Sequence, residues 1–384
     1  VGCEVAEAFA SLWGADVTLI EAAPNPLPEI LDPELGAVVA RHLESQDVRV
    51  ITGSPVERFE PDDEGVTIHA GGEEIRVDVA VVAVGVRPRV ELAVAAGISL
   101  GPTGAIRVDE RLATSVPHVW AAGDCAEVRH IVTGGPAYTP LGSLANRQGR
   151  VLGTLLAGGV GSFGPIAGAA AVKVFDLNVA SVGCTAYRLG ADGQGVRSVW
   201  ISGEDRAHYW PEAKLILLGM VYDPASRRVL GVQGAGEEGE VAKRIDVAAQ
   251  LILREATIED FIDLEHAYAP PYAPALDPLT VLACAAQNEL DGIEAESPLM
   301  NLSSARVLDV RIDEEREERP VEGGSVVEIE IGDLRERVGE IPEGPLVVVC
   351  AHGTRSAEAV RFLAGRGIQA RYLGGGMSWR SRAI

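Results

Sequence analysis

Residues 346–359, LVVVCAHGTRSAEA, run an unbroken apolar, β-branched stretch into a cysteine, a short turn with a glycine and an arginine, and then helix-forming residues. A strand with no polar alternation has to be covered on both faces, which calls for a parallel sheet with helices on each side. The same pattern recurs earlier, where VTLI (17–20) follows a helical stretch and VAVVAVG (79–85) ends at a glycine. The chain therefore predicts an α/β multidomain protein, and at about 150 residues per domain its 384 residues hold two to four domains.

Hydrophobic residues make up 47% and charged residues 23%, an ordinary soluble composition. The longest apolar runs are strand-sized, and the uncharged stretch 157–172 is interrupted by glycines and Pro165, so no membrane segment is expected. A formal charge of −23 and a pI near 4.7 repel phosphate backbones, which argues against nucleic acid as a partner. The five cysteines, at 3, 125, 184, 284 and 350, form no Cys-x-x-Cys, which fits a reducing cytoplasm without a disulfide framework or zinc site. The seven histidines form no ligand pair either, so no metal is expected. The chain opens at Val1 already inside a helical pattern and reads as truncated, which leaves any targeting peptide out of view.

Residues 1–21, VGCEVAEAFASLWGADVTLIE, predict a helix ending at Gly14 and a strand ending at Glu21. Gly2 and Glu21 stand at the distance separating the third glycine of a dinucleotide-binding helix from the acid that holds a ribose. Any α/β protein with a strand ending in glutamate reads the same way. Next come a helix over 32–46, a strand over 48–52, a hairpin over 66–77 through Gly71-Gly72, and a fully buried strand ending at Gly85. Residues 106–128 predict two short strands, the second delivering Gly123-Asp124 to its C-terminal end, where ligands bind in α/β sheets.

With VVAVGVRP, TSVPHVWAAGD and PLGSLANRQGR in place, the run from Val1 to Gly149 resembles the pyridine nucleotide-disulfide oxidoreductase family. The resemblance implies FAD and NAD(P)H as cofactors. It implies flavin contacts at Gly123, Asp124, Leu144 and Ala145, with Asp124 accepting hydrogen bonds from ribityl hydroxyls. NAD(P) would lie against Gly2, Glu21 and Gly85, and Asn146 would touch substrate. The helix opening at Gly142 can also aim its amides at the pyrimidine edge of a reduced flavin. An isolated Gly-Asp could merely cap a helix.

From Gly164 to Gly292 the pattern turns to strands and a meander, with a hairpin through Asp223-Pro224 and a helix over 240–253, similar to the family's dimerisation domain. That similarity implies a homodimer whose partner copy completes the active site. Within it, HAYAPPYAPALDP (266–278) sets Tyr268 and Tyr272 around a Pro-Pro turn. On spacing alone these are tyrosines of a proline-rich loop. YAPPY, however, resembles the CoA-disulfide reductase branch, where such tyrosines replace a His-Glu acid pair. Leu276 stands where that branch often has a basic residue, which weakens a CoA-phosphate site, and Tyr209-Trp210-Pro211 resembles an aromatic pair of the branch without being assigned a role.

Residues 301–384 restart the α/β pattern, and VLDVR, C-x-x-G-x-R-S and LGGGMSW together resemble a rhodanese domain. Physically, amides at a helix N-terminus facing a cysteine stabilise its thiolate against an ordinary pKa of about 8.5, and the loop Cys350, Ala351, His352, Gly353, Thr354, Arg355 can form a nest for anionic sulfur. Four residues separate Cys350 from Arg355, one fewer than in phosphatase loops, which suits one sulfur atom better than phosphate. Arg355 is expected to anchor the loop, through Asp309. His352 is read as a solvated loop histidine with no role of its own, and DEEREER (313–319) as a solvated helix face. Cys125, Cys184 and Cys284 read as structural, Cys3 stands near a helix start where a thiol could react but where small residues usually pack against the dinucleotide, and the flavin-facing redox cysteine of the branch has no counterpart among them.

The implied organisation is an NAD(P)-binding domain over 1–95, the end of an FAD-binding domain over 96–160, a dimerisation domain over 161–295 and a rhodanese over 296–384. The implied function is reduction of CoA disulfide, CoA persulfide or polysulfide by NAD(P)H through FAD, with Cys350 and Arg355 as the sulfur-carrying site. Glu21 points to NADH, since a carboxylate repels a 2′-phosphate. Two alternatives stand beside it: an NADH oxidase of the same family, and a flavin-free sulfur carrier in which only the rhodanese acts.

Overall fold

The apolar runs and the helices between them are realised as layers in the computed structural model, which describes residues 1–191, 195–237, 240–322 and 324–384. The chain divides into one unit comprising 1–82, 169–251 and 256–384, and a second comprising 83–168 with 252–255.

In the first unit, helix Gly2–Trp13 buries Cys3 and Ala6 and stops at Gly14, whose φ of 62° gives the left-handed cap that a side chain would resist. Strands Thr18–Ile20 and Arg49–Ile51 pair in parallel. Between them, helix Pro33–Ser45 starts on a proline, which suits a position with no N–H to satisfy, and buries Leu35, Val38, Val39 and Leu43. The hairpin at 66–77 forms as strands Gly65–Ala70 and Glu73–Val77, with positive φ at Gly71 and Gly72, and Val56–Asp62 adds a third strand.

A five-stranded antiparallel sheet follows in the order Arg197–Glu204, Leu215–Tyr222, Val229–Gly236, Leu177–Gly183, Ala170–Val174. Strand Val229–Gly236 is buried along its whole length, as its central place requires. Asp32, the N-cap of helix Pro33–Ser45, ties that helix to this sheet. It is 1% exposed, its carboxylate accepts from the amides of Ala186 at 3.0 Å and Tyr187 at 2.8 Å and from Gln233 Nε2 at 2.5 Å, and its own N–H donates to Gln233 Oε1 at 2.8 Å.

The C-terminal sheet is parallel throughout, in the order Ala295–Glu296, Ala370–Leu373, Leu346–Val349, Arg306–Asp309, Ser325–Glu328. The chain leaves Arg306–Asp309 toward one edge and returns to Leu346–Val349 on its other side, so the order reverses between these two strands. Helix Gly376–Ala383 carries Trp379 into a core shared with Leu35, Val38, Val39, Trp200, Leu217 and Ala235, and the Trp200 and Trp379 rings meet edge to face at 5.2 Å.

Two sequence expectations fail. The buried strand at 79–84 does not form: Val79, Val81, Val82 and Val84 are 66%, 53%, 62% and 91% exposed. An all-apolar run becomes a strand only when neighbours take up its N–H and C=O groups, and among the described residues no strand pairs with it. Likewise the two strands expected within 106–128 reduce to single bridges, Ile106 with Ala126 and Ala113 with Trp120. The second unit is instead organised by helix Gly142–Leu156, with Leu144, Phe163, Ile166 and Val128 around it. Among the described residues no helix is long and apolar enough to cross a membrane.

Asp32→Ala leaves two main-chain N–H groups and the Gln233 amide without their acceptor. It is expected to lower the unfolding free energy by roughly 2–4 kcal/mol, read as a fall in the urea midpoint at unchanged slope.

Candidate functional site

Cys350 directly follows Leu346–Val349, at the carboxyl end of the strand beside the order reversal, the place where open α/β sheets bind ligands. Its side chain is fully buried. Sγ accepts from the amides of Gly353 at 3.1 Å and Ser356 at 3.3 Å, and lies 3.3 Å from Ser356 Oγ. Gly353, at φ 98°, is the N-cap of helix Thr354–Ala364, so the sulfur stands where a capping oxygen would and meets the positive end of the helix dipole. The amide cradle thus reaches one residue beyond Arg355, to the buried Ser356, while Thr354 points to solvent.

Behind the loop, Met377 N–H donates to the Cys350 carbonyl and Ser378 N–H to the Ala351 carbonyl, both at 2.9 Å. This requires the backbone to come close: a Cβ on Gly376 would lie 2.4 Å from the Ala351 oxygen and 2.6 Å from that of Cys350. The carbonyls are drawn away from the sulfur, and amides are left facing it.

The Arg355 anchor differs from expectation. Asp309 is occupied by its buried neighbour Arg311, which donates from Nε at 2.9 Å and from Nη2 at 2.7 Å and ties down the carbonyls of Glu315 and Arg319 as well. Arg355 donates instead to Glu315 Oε1 at 2.6 Å. Glu315 belongs to helix Asp313–Glu318, so part of the DEEREER run faces the loop rather than water. The hydrogen bond from Arg355 holds the Glu315 carboxyl below the usual range, and the same bond raises Arg355. His352 is not solvated: Nδ1 lies 3.1 Å from Ser202 Oγ on strand Arg197–Glu204, and burial, followed by the Arg355 charge, pushes the imidazole pKa down.

Tyr268 and Tyr272 are 51% and 71% exposed on the Pro-Pro turn, whose Pro270 carbonyl accepts from Ala207 N–H at 3.3 Å. That bond brings the Tyr209 segment alongside. The Tyr209 phenol is raised chiefly by desolvation and then by Tyr268, and His208 stands edge-on to it at 5.3 Å. Tyr209 therefore joins the predicted pair.

In the second unit, Gly123 (φ 81°) lies beside the helix opening at Gly142, and a Cβ there would sit 3.6 Å from Ala145 Cβ. Asp124 is exposed and makes no hydrogen bond within the described residues. Buried Gln148 accepts from Gly123 N–H at 2.5 Å through Oε1, and its Nε2 has no partner among the described residues. The first turn of the helix carries neither a side-chain cap nor an acid. Open amides, a free acceptor and an unpartnered buried amide fit a polar, electron-rich group such as a flavin with its polyol tail. Leu144 is buried in the core beneath, and Asn146 donates to the Gly142 carbonyl at 2.8 Å, inside its own helix rather than outward.

Gly2 opens helix Gly2–Trp13, and Glu21 Oε1 accepts from Ala23 N–H at 2.9 Å. In the first turn of that helix the Cys3 thiol is raised mainly by burial. Gly85, at φ 96°, belongs to the second unit.

Sequence models of the pyridine nucleotide-disulphide oxidoreductases match residues 1–143, and those of their dimerisation domain match residues 169–279. The chain is 41% identical to a NAD-dependent persulfide reductase from A. fulgidus, with a TM-score of 0.93 over 99% of this chain and 70% of that one. It is 32% identical to the reduced CoADR-RHD of Bacillus anthracis, with a TM-score of 0.89 over 99% of this chain and 69% of that one. An NAD(P)H sulfur oxidoreductase (CoA-dependent) of Pyrococcus abyssi is 36% identical over 283 residues, 74% of this chain. The chain spans 63% of that relative's length.

Gly376→Ala places a methyl group against the Cys350 and Ala351 carbonyls at a left-handed residue. At about 1–2 kcal/mol for that conformation alone, alkylation of Cys350 by iodoacetamide is expected to quicken roughly tenfold or more, because the open loop is more populated. An unchanged rate would show that this contact does not hold the loop closed.

Proposed function

The chain belongs to the pyridine nucleotide-disulphide oxidoreductase family, and from that premise we propose that it is an FAD-dependent NAD(P)H oxidoreductase acting on CoA disulfide, CoA persulfide or polysulfide, with residues 296–384 as a rhodanese domain carrying sulfane sulfur on Cys350. The observation that carries the reading is the Cys350 sulfur, held by the amides of Gly353 and Ser356 at a sheet's switch point. A second support is coverage: the persulfide reductase and the CoADR-RHD structure each align with 99% of the chain, the Cys350 domain included.

Bound FAD would supply two-electron transfer from nicotinamide to sulfur. The chain's own part in holding it falls to Gly123, Asp124 and the amides at the start of helix Gly142–Leu156, which offer acceptor and donors to a polyol and an electron-rich ring edge. Glu21 would accept from ribose hydroxyls. Tyr268 and Tyr272, with Tyr209 beside them, present phenol donors to a substrate sulfur, and the dimerisation-domain residues would bring two copies together so that each completes the other.

At Cys350 the sulfur attacks the sulfane sulfur of a donor, the donor's S–S bond breaks, and the donor leaves as a thiolate. The persulfide formed is one atom longer than the thiol. The amides of Gly353 and Ser356 stabilise whichever sulfur is anionic, and Arg355, held by Glu315, keeps the loop in shape.

Incubation of the chain with polysulfide, followed by removal of excess and intact-mass measurement, is expected to add one sulfur atom, carried by Cys350. Cys350→Ser should carry none, and equal loading of both proteins would remove the carrier role. For the nicotinamide, NADH is expected to exceed NADPH in kcat/KM. Glu21→Ala should narrow that ratio by about fivefold, the worth of roughly 1 kcal/mol of repulsion between close charges in water.

A further inference from the structure

Counting protons around Ser202 defines the state of His352. The Ser202 hydroxyl has one hydrogen, and it donates that hydrogen to the Gly375 carbonyl at 2.6 Å, an atom that can only accept. The same oxygen lies 3.1 Å from His352 Nδ1 and has nothing left to donate. Nδ1 must therefore carry a proton and donate it to Ser202, which in a neutral imidazole leaves Nε2 with a lone pair. The ring is neutral near pH 7, because burial and then the Arg355 charge lower its pKa. The charged groups acting on it are Arg355, Glu315 and Arg319.

A thiol receiving sulfur from Cys350 needs such a base. Free thiols ionise near pH 8.5 and are poor nucleophiles while protonated. Arg355 cannot take a proton, and Glu315 is a weakened base because Arg355 holds its carboxyl low. His352, two residues after Cys350 and half-buried at the loop, is the remaining titratable group whose strength suits the task.

We propose that His352 Nε2 is the base that takes the proton from the thiol accepting sulfur from Cys350, and that Ser202, on strand Arg197–Glu204, is the residue that positions it. The inference rests on the reading of Cys350 as a sulfur carrier. In the step, Nε2 takes the acceptor's S–H proton and the resulting thiolate attacks the outer sulfur of the Cys350 persulfide. The Cys350 Sγ–S bond breaks, and the acceptor leaves as a persulfide with the transferred sulfur. Cys350 is returned as a thiolate to the amides of Gly353 and Ser356, and the imidazolium passes its proton to that thiolate or to water. No oxidant or reductant is consumed.

The test charges the chain with polysulfide, verifies the added sulfur on Cys350 by mass, and times its loss to small thiols of graded acidity from about pH 5 to 9. Wild type is expected to transfer to weakly acidic thiols about 10²–10⁴ times faster than His352→Gln, and to slow as pH falls through the depressed imidazole pKa. His352→Gln should lose that acid limb, leaving a rate that follows only the acceptor's thiolate fraction. Ser202→Ala, which releases the tautomer, should slow transfer and displace the limb, and Ser202→Thr should restore both. A His352→Gln protein that charges normally and matches wild type at every pH overturns the proposal. Should that variant not charge, an acid limb identical in wild type and Ser202→Ala overturns it instead. Failure of wild type itself to charge removes the carrier reading, and this inference with it.

Discussion

The close backbone approach at Gly374, Gly375 and Gly376 is the constraint on which the C-terminal domain depends. With any side chain at 376 the strand end bearing Cys350 and the start of helix Gly376–Ala383 could not share hydrogen bonds, because a Cβ would occupy the space of two carbonyl oxygens. Those hydrogen bonds decide which way the peptide groups of the loop face. Once the Cys350 and Ala351 carbonyls are engaged from behind, amides further along the loop are turned to the sulfur.

The same glycines link the loop to the antiparallel sheet. Gly375 gives its carbonyl to Ser202, and a Cβ on Gly374 would lie 3.4 Å from the Trp200 carbonyl. Trp379, one turn on, packs its ring against Trp200 in a core shared with helix Pro33–Ser45. The cysteine loop is thus backed by strand Arg197–Glu204 as well as by its own sheet, and His352 meets Ser202 on a strand 150 residues away in sequence. On the other flank, Arg311 and Glu315 fasten the loop through helix Asp313–Glu318. The Cys350 loop is thus held both by strand Arg197–Glu204 and by helix Asp313–Glu318.

Much of the architecture was legible because it depends on local rules. The left-handed cap at Gly14, the hairpin through Gly71-Gly72 and the proline start of helix Pro33–Ser45 follow from residue type at one place in the chain. The cysteine loop was legible for a similar reason, since strand, thiol, glycine and helix are contiguous. What escaped was either remote or dependent on neighbours. Ser356 closes the C-x-x-G-x-R-S motif but lies one residue past the loop expected to cradle the sulfur, on the helix face that turns inward, and only the fold shows its amide reaching Cys350. Glu315 sat inside a charge run that reads as solvent-facing, and it is the acid that Arg355 meets while Arg311 holds Asp309. The valines at 79–84 have the composition of a buried strand and, among the described residues, none of the partners that make one.

Sequence by itself determined the α/β class, the order and character of most helices and strands, and the placing of a cysteine between a buried strand and a helix start, because periodicity, capping and turn chemistry act over a few residues. Tertiary structure alone decided which amides face Cys350, which acid holds Arg355, that Tyr209 meets Tyr268, and which nitrogen of His352 carries its proton. The reason is that hydrogen bonds and ion pairs have a reach of about 3 Å and a fixed number of donors. The partner a group finds is therefore settled by what folding brings beside it, after nearer candidates have been taken.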